Sequence, residues 1–390
     1  MRRVTAAVLL GLGCASPGMP PGGPPDIAAP QIVKITPDSG TFGVSPKEVI
    51  FRFDEVVSER PPGATTLDDL FLISPRNGTT RTSWHREAIG VRPTRGWLPN
   101  TPYTVIMLRG IADIRGNVRN VGASTFFSTG KTIPHTRLAG RVFDWVPGTP
   151  ANGALVESFV RPDSLHPYMA LVDSSGAFTI EHLPPARYTV RAYLDRNKNL
   201  AIDPNELWDS VSVNVTDSAS ATLLLFAHDT LPPRIRDVSA VDSLSLRVSF
   251  DRPVDPSQTL APANFAVVGP DSVPVPIVSV GVVPKDTAAA PVKPAPGAPQ
   301  PPPPSRVPVR RDTTTATKPV MPRPSPISET VITLQRPLAP KTTYRVRAIG
   351  IRGLLGRTGD SERSYATPAP APPPTPKPAV TPPPAPKRER

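Results

Sequence analysis

Cysteine is almost absent from this chain, since Cys14 is the only one in 390 residues, and a lone cysteine excludes an intramolecular disulfide. No apolar run approaches the ~20 residues needed to span a bilayer. No serine lies in a Gly-x-Ser-x-Gly elbow, and no glycine-rich phosphate loop is present. The histidines show no metal-ligand spacing such as His-x-x-x-His; they are His85, His135, His166, His182 and His228. These absences argue against an enzyme.

The lone cysteine follows a short segment with the features of an export signal. Arg2 and Arg3 supply positive charge, residues 4–13 are apolar, and a small residue, Gly13, precedes Cys14. The segment resembles a bacterial lipoprotein signal peptide with residues 11–14 as its lipobox, although glycine stands at position 11, where that family usually has leucine.

The resemblance implies removal of residues 1–13 and lipidation of Cys14. Bacterial lipoproteins carry more than one acyl chain, and two or more chains anchor a protein stably. Ala15, in place of Asp, implies sorting to the outer membrane, on its periplasmic or its surface face. An ordinary signal peptide with a chance cysteine and a wrongly assigned start are the alternatives.

Proline is abundant, with 57 residues, and much of it lies in three tracts. Residues 14–29 are predicted to be a Pro/Gly tether, residues 284–328 a disordered insertion, and residues 367–390 a disordered basic tail. The net charge of +12 lies largely in the insertion and tail. Because nucleic acid conflicts with an export signal, peptidoglycan or other anionic envelope polymers, or lipid headgroups, are the favoured polyanions. Alternatively, the charge simply keeps these segments extended and soluble.

Residues 30–130 have a sequence pattern typical of a β-sandwich. Short strands alternate in hydrophobicity, as in Val49, Phe51 and Phe53, and almost no stretch has helical periodicity. Residues 67–71 are the exception and predict a single helical turn. Asn77-Gly78 predicts a two-residue hairpin.

Four sequence blocks in this region carry a family resemblance. They are Pro37–Pro46, Phe51–Val57, Leu98–Val105 and Gly110–Asn117. In this order and spacing they resemble the S-layer-type (SbsA-type) bacterial Ig-like domain. Asp113 with Gly116-Asn117 fits a tight turn, because aspartate accepts hydrogen bonds from nearby backbone N–H groups.

A second copy is predicted over residues 231–366, interrupted by the insertion at 284–328. Pro340–Val346 aligns with Pro99–Val105, and Gly350–Gly356 echoes the block that starts at Gly110. A disordered insertion is tolerated in a surface loop because closure entropy rises slowly with loop length. The alternative is that residues 231–283 and 329–366 are not one domain.

Residues 138–228 are predicted to form a third module between these two. Phe178 and Ile180, and Tyr188, Val190 and Ala192, alternate as strands do. The run resembles the prealbumin-like β-sandwich of carboxypeptidase-regulatory and Cna-B-type modules. The fold class is therefore all-β, with tandem Ig-like and prealbumin-like β-sandwiches joined by Pro-rich segments.

One loop in this module has the spacing of a calcium-binding EF-hand loop. Its predicted ligands are Asp195, Asn197, Asn199, Ala201, Asp203 and Glu206. Two features depart from that motif: Leu200 occupies the position of the usual glycine, and the loop follows a strand. Either the loop binds Ca²⁺, or it is a polar surface loop held by Asx-turns.

Together these observations predict a non-enzymatic, lipid-anchored envelope protein with a binding, adhesion or spacer role. Its partners are then the membrane, through the lipid, and anionic envelope polymers or another protein, but not nucleic acid. The alternative is a secreted carbohydrate-binding or adhesion module with a calcium-stabilised loop. An enzyme is a third hypothesis, for which no residue constellation argues.

Overall fold

The computed structural model describes residues 25–282 and 323–369, which form β-strands and turns with two single-turn 3₁₀ helices, Leu67–Leu70 and Pro262–Asn264. The predicted all-β class is confirmed. No helix in these residues has the length and apolar character needed to cross a bilayer. The predictions for the signal peptide, for Cys14, and for most of the tether, insertion and tail lie outside the described residues.

The chain divides into two compact units. The first holds the described residues up to Thr136 with Pro162–Met169 and His182–Pro184, and the second holds the remainder.

Eight strands build the sandwich of the first unit. They are β1 (Ile32–Thr36), β2 (Thr41–Phe42), β3 (Val49–Phe53), β4 (Phe71–Ser74), β5 (Thr80–Trp84), β6 (Ala88–Pro93), β7 (Pro102–Met107) and β8 (Ala123–Ser128). Two four-stranded sheets result, in the orders β1-β3-β6-β5 and β2-β8-β7-β4. In β3 the side chains of Val49, Phe51 and Phe53 are buried while Ile50 and Arg52 are exposed, because successive side chains point to opposite faces.

The predicted helical turn and the predicted hairpin have different outcomes. Leu67–Leu70 forms a 3₁₀ turn, as expected. Asn77-Gly78 does not close a hairpin, because β4 pairs with β7 in one sheet and β5 pairs with β6 in the other. The Asn77 amide instead donates to the carbonyl oxygen of Gly96 at 2.9 Å. Gly78 has φ +82°, so the signal identifies a tight turn but not which strands the turn joins.

The second unit begins with eight more strands. They are β9 (Arg137–Asp144), β10 (Thr149–Pro150), β11 (Leu155–Phe159), β12 (Tyr168–Leu171), β13 (Ala177–Glu181), β14 (Ala186–Tyr193), β15 (Leu207–Val215) and β16 (Ser218–Ala227), of which Tyr168 and Met169 are grouped with the first unit. The first and last strands, β9 and β16, run parallel, whereas β14 pairs antiparallel with β11 and β15. Tyr188, Val190 and Ala192 lie in a strand, as predicted, and are buried, but Thr189 and Tyr193 are buried too, so the burial of β14 does not alternate. The prealbumin-like resemblance stays a prediction.

The last eight strands form a sandwich from residues on both sides of 283–322. They are β17 (Ile235–Ala240), β18 (Ser245–Val254), β19 (Phe265–Val268), β20 (Pro274–Val275), β21 (Ile277–Val282), β22 (Ile327–Leu334), β23 (Thr343–Arg352) and β24 (Thr358–Ala366). The sheets have the orders β17-β18-β22-β21 and β20-β19-β23-β24. One buried cluster includes Phe250 and Phe265 from before residue 283 and Ile332 and Tyr344 from after residue 322.

Candidate functional site

The loop with calcium-type spacing connects β14 to β15, where the backbone N–H of Leu194 donates to Leu207 at 3.0 Å. Asp195 opens the loop, and its two carboxylate oxygens accept the backbone N–H groups of Asn199 at 3.1 Å and Leu200 at 2.9 Å. Asn199 in turn accepts the N–H of Ala201 at 2.8 Å. Each polar side chain thus tightens the backbone that follows it.

Glu206 closes the loop from a buried position, with 5% of its surface exposed. Its two oxygens accept the backbone N–H groups of Arg196 at 2.9 Å and Asp203 at 3.1 Å. The Glu206 carboxylate thus joins the start of the loop, at Arg196, to its second half, at Asp203.

Two residues of the loop adopt left-handed backbone conformations without being glycine. Lys198 has φ +58° and Leu200 φ +56°. A left-handed non-glycine residue costs roughly 1–2 kcal/mol, so the hydrogen bonds of Asp195 outweigh that cost at Leu200. The backbone reaches the conformation for which the calcium motif normally uses glycine.

The donor chemistry of the loop suits Ca²⁺ in part. Asp195, Asp203 and Glu206 supply carboxylate oxygens, as calcium sites do. Asn197 and Asn199, however, turn their amide nitrogens toward one Asp203 oxygen, at 2.6 and 3.1 Å. Rotation of each amide would exchange nitrogen for oxygen, and those hydrogen bonds would be lost. Calcium binding at these residues stays a prediction, as does the alternative of a polar loop.

A different acidic cluster brings Asp26, Glu55 and Asp113 together. One carboxylate oxygen from each lies within 4.8 Å of the others. Asp113 is buried and accepts the backbone N–H of Arg115 at 2.9 Å and of Asn117 at 2.8 Å, as the sequence predicts for a tight turn. The other two acids are distant in sequence, and no local spacing pattern links them to Asp113.

The cluster shifts two pKa values in opposite directions. Burial, together with the charges of Asp113, Asp26 and Asp54, raises the pKa of Glu55. Burial also raises the pKa of Asp113, but hydrogen bonds from Asn117, Arg115 and Gly116 outweigh it and leave the pKa below its ordinary 3.8. Asp113 is thus part of a structural turn, and its negative charge disfavours ionisation of Glu55.

Comparison with known proteins bears on the first sandwich. Residues 26–129 match the family model of a bacterial Ig-like domain, which confirms the predicted Ig-like character of this region. No curated protein matches the chain significantly. A bacterial Ig-like domain fits a non-enzymatic role in a cell envelope or in adhesion.

Similarity to solved structures is weak. The N-terminal part of the bacterial S-layer protein SbsC is 23% identical over 36% of this chain and 25% of that chain, with a TM-score of 0.22. A DUF3823 family protein from Parabacteroides merdae ATCC 43184 is 16% identical over 35% of this chain and 66% of that chain, with a TM-score of 0.20. Domains 1–6 of SbsC are 8% identical over 88% of this chain and 55% of that chain, with a TM-score of 0.19. The chain thus spans from a quarter to about two thirds of their lengths, and at these scores the similarity supports no inference about function.

Proposed function

We propose that the protein is a non-enzymatic lipoprotein of a bacterial envelope that holds β-sandwich modules at the membrane for binding or adhesion. The observation that carries the proposal is the use of one Ig-like sandwich design twice. Tyr103 in β7 and Tyr344 in β23 each accept, through the hydroxyl, the N–H of the residue five positions earlier, at 2.7 and 2.9 Å. Repetition of one module motivates a role in presenting surfaces, although the fold by itself assigns no function.

The duplicated design extends around each tyrosine. Thr129 accepts the backbone N–H of Thr101 at 2.9 Å, and Thr367 accepts that of Thr342 at the same distance. Asn100 and Lys341, at matching positions, have φ +50° and +53°. The two sandwiches therefore share a corner, not merely a strand count.

Four aspartates have pKa shifts that are typical of structural turns and not of catalytic groups. Local N–H or O–H groups of their own turns lower the pKa values of four aspartates, in spite of burial at Asp173 and Asp255; these are Asp163, Asp173, Asp242 and Asp255. Catalytic acids and bases are usually shifted toward neutral pH. These shifts point the other way and are typical of Asx-turns.

The anchor is proposed at Cys14, on the signal-peptide resemblance. Labelling with a palmitate analogue in a Gram-negative host, followed by membrane fractionation, tests it. The wild type is expected to take up label and to sediment with membranes, whereas Cys14→Ser does neither. Ser16→Ala is the control and keeps the label.

Labelling that survives Cys14→Ser would contradict the anchor. A wild type that is exported, unlabelled and soluble would support the alternative of a secreted adhesion or carbohydrate-binding protein. A glycan array with and without Ca²⁺ then tests that alternative.

A further inference from the structure

One outer sheet face of the first sandwich is strongly cationic. Lys34 in β1, Arg52 in β3, Arg92 in β6 and Arg81 in β5 are exposed. The buried Val49, Phe51 and Phe53 point into the core, so the alternate residue Arg52, its partner Lys34, and the pair Arg81 and Arg92 share the solvent side. These four side chains define the cationic face.

The cations on this face are paired with one another across strands. Lys34 is the register partner of Arg52, and Arg81 that of Arg92. Like charges directly opposite each other in an antiparallel ladder destabilise a sheet. Two such pairs on one face are unfavourable for folding, unless a ligand offsets the repulsion.

Protein carboxylates neutralise little of this charge. Glu48 lies 3.5 Å from Arg92 and accepts a hydrogen bond from the Ser83 hydroxyl at 2.7 Å. Within residues 25–282 and 323–369, no carboxylate forms an ion pair with Lys34, Arg52 or Arg81. The face thus offers four cations, and among the described residues Glu48 is the only carboxylate that forms an ion pair with any of them.

An uncharged strip separates the two cation pairs, and it consists of Thr36, Ile50, Gly90 and Ser83. A Cβ at Gly90 would lie 2.2 Å from a Glu48 oxygen and 2.4 Å from the Ser83 hydroxyl, so glycine lets Glu48 reach across the strip. From the strand spacing and the rise per residue, the centres of the two pairs lie roughly 15 Å apart.

The C-terminal sandwich shows that the fold does not need these cations. The registers of β17, β18, β22 and β21 place Asp237, Ser249, Thr333 and Ser279 at the positions of Lys34, Arg52, Arg92 and Arg81. This equivalent face carries one arginine, Arg247, which lies 3.7 Å from Glu329. The charge therefore distinguishes one copy of the sandwich from the other.

We propose that the cationic face binds an extended anionic glycan of the envelope, whose carboxylates or phosphates contact both cation pairs. The inference rests on the proposed envelope function for the place where such a polymer is met. A repeating polyanion can engage both pairs at once, whereas a small anion reaches one. The strip offers hydroxyl groups to a polysaccharide, and the face described here carries no aromatic side chain to insert into a bilayer.

The test compares two triple variants of the full-length protein that lose the same charge. Arg52→Ser, Arg81→Ser and Arg92→Thr place on the face the residues of the equivalent sheet. Arg236→Ser, Arg336→Ser and Arg345→Ser remove three exposed arginines from elsewhere. Binding to polygalacturonate and to a glycerol-phosphate teichoic acid is measured by calorimetry, with dextran as the neutral glycan.

The face variant is expected to bind both polyanions about tenfold more weakly, with a shallower salt dependence, because fewer cations take part. The control variant stays within about twofold of the wild type, and the corresponding Arg→Lys triple retains binding. Melting curves check that each variant is folded.

An equal loss of affinity for the polyanions in the two triple variants would overturn the proposal, since net charge alone would then explain binding. So would wild-type binding to phosphatidylglycerol vesicles, or to duplex DNA, without binding to either polymer. These measurements do not depend on lipidation, so their failure leaves the Cys14 proposal standing, and the reverse also holds.

Discussion

Asp113 holds the tight turn before β8 through hydrogen bonds to its carboxylate. Besides the two backbone N–H groups, the side-chain amide of Asn117 donates at 2.7 Å. The residue is 1% exposed, so its substitution leaves buried N–H groups without a hydrogen-bond acceptor. Sequence reasoning found this residue because aspartate two to four positions before its donors is a local pattern.

Asp113→Ala is expected to lower the free energy of unfolding of the first sandwich by about 2–4 kcal/mol, because buried donors lose a charged acceptor. Asp113→Asn keeps an acceptor oxygen and should cost less. Urea unfolding followed by tryptophan fluorescence measures both. A loss below 0.5 kcal/mol for the alanine variant would contradict this role.

The pH dependence of that loss has a defined sign. The folded pKa of Asp113 lies below its ordinary 3.8, so its ionised form stabilises the fold fully above that value. The contribution declines as the pH falls through the lower folded pKa. The difference in free energy of unfolding between the wild type and Asp113→Asn should therefore be constant near neutral pH and should become smaller in acid.

The loop at residues 195–206 gives a second prediction at this scale. If it binds calcium, CaCl₂ should release heat and raise the melting temperature of the full-length protein by a few degrees. Asp203→Ser should abolish both effects, and Asp173→Asn, in another Asx-turn, should leave them unchanged. Absence of heat and of a thermal shift in the wild type supports the alternative of a purely structural loop.

At the scale of elements, the hydrogen bond between the Tyr103 hydroxyl and the N–H of Leu98 ties the loop before β7 to that strand. Tyr103 is fully buried, and burial raises its pKa to about 12, although the hydrogen bond from Leu98 lowers it. Trp97 packs on its ring edge-to-face at 4.8 Å between centroids. The block from Pro99 to Val105 is readable in sequence because the hydrogen bond of its tyrosine, to the N–H of Leu98, joins residues only five positions apart.

Tyr103→Phe and Tyr344→Phe should each cost about 1–2 kcal/mol, because each leaves a backbone N–H without its acceptor. Tryptophan fluorescence, to which Trp97 contributes, reports on the first variant, and calorimetry reports on the second. The matched corners predict similar losses. A loss at one site and none at the other would show that the two corners are not equivalent.

Tyr103 also adds a decline in stability at alkaline pH. Its folded pKa lies above the ordinary value of 10.0, so the neutral form is favoured in the folded state. Stability should fall as the pH rises between these two values. Tyr103→Phe should flatten that decline.

At the scale of the whole molecule, the C-terminal sandwich is assembled from two stretches of chain. β21 ends at Val282 and pairs with β22, where Val282 lies opposite Thr330. β18 and β19, from before residue 283, pair with β22 and β23, from after residue 322. The strand ends that flank residues 283–322 are therefore neighbours in one sheet.

Deletion of residues 284–322 should leave this sandwich folded. The shorter connection lowers the cost of loop closure, and the expected gain is roughly 1–2 kcal/mol. Differential scanning calorimetry of the full-length protein and of the deletion variant measures it. Loss of the transition would show that the deleted residues are part of the fold.

The sequence by itself determined the strand periodicity, the Asx-turns and the matching blocks Pro99–Val105 and Pro340–Val346, because these patterns involve residues a few positions apart. Tertiary structure decided what depends on pairing between distant segments. It placed the Asn77-Gly78 turn between two sheets, and it brought Glu55 and Asp26 to Asp113. It also set Lys34 opposite Arg52 and Arg81 opposite Arg92. Charge alone marked the chain as basic, but only strand register concentrates four of those cations on one face.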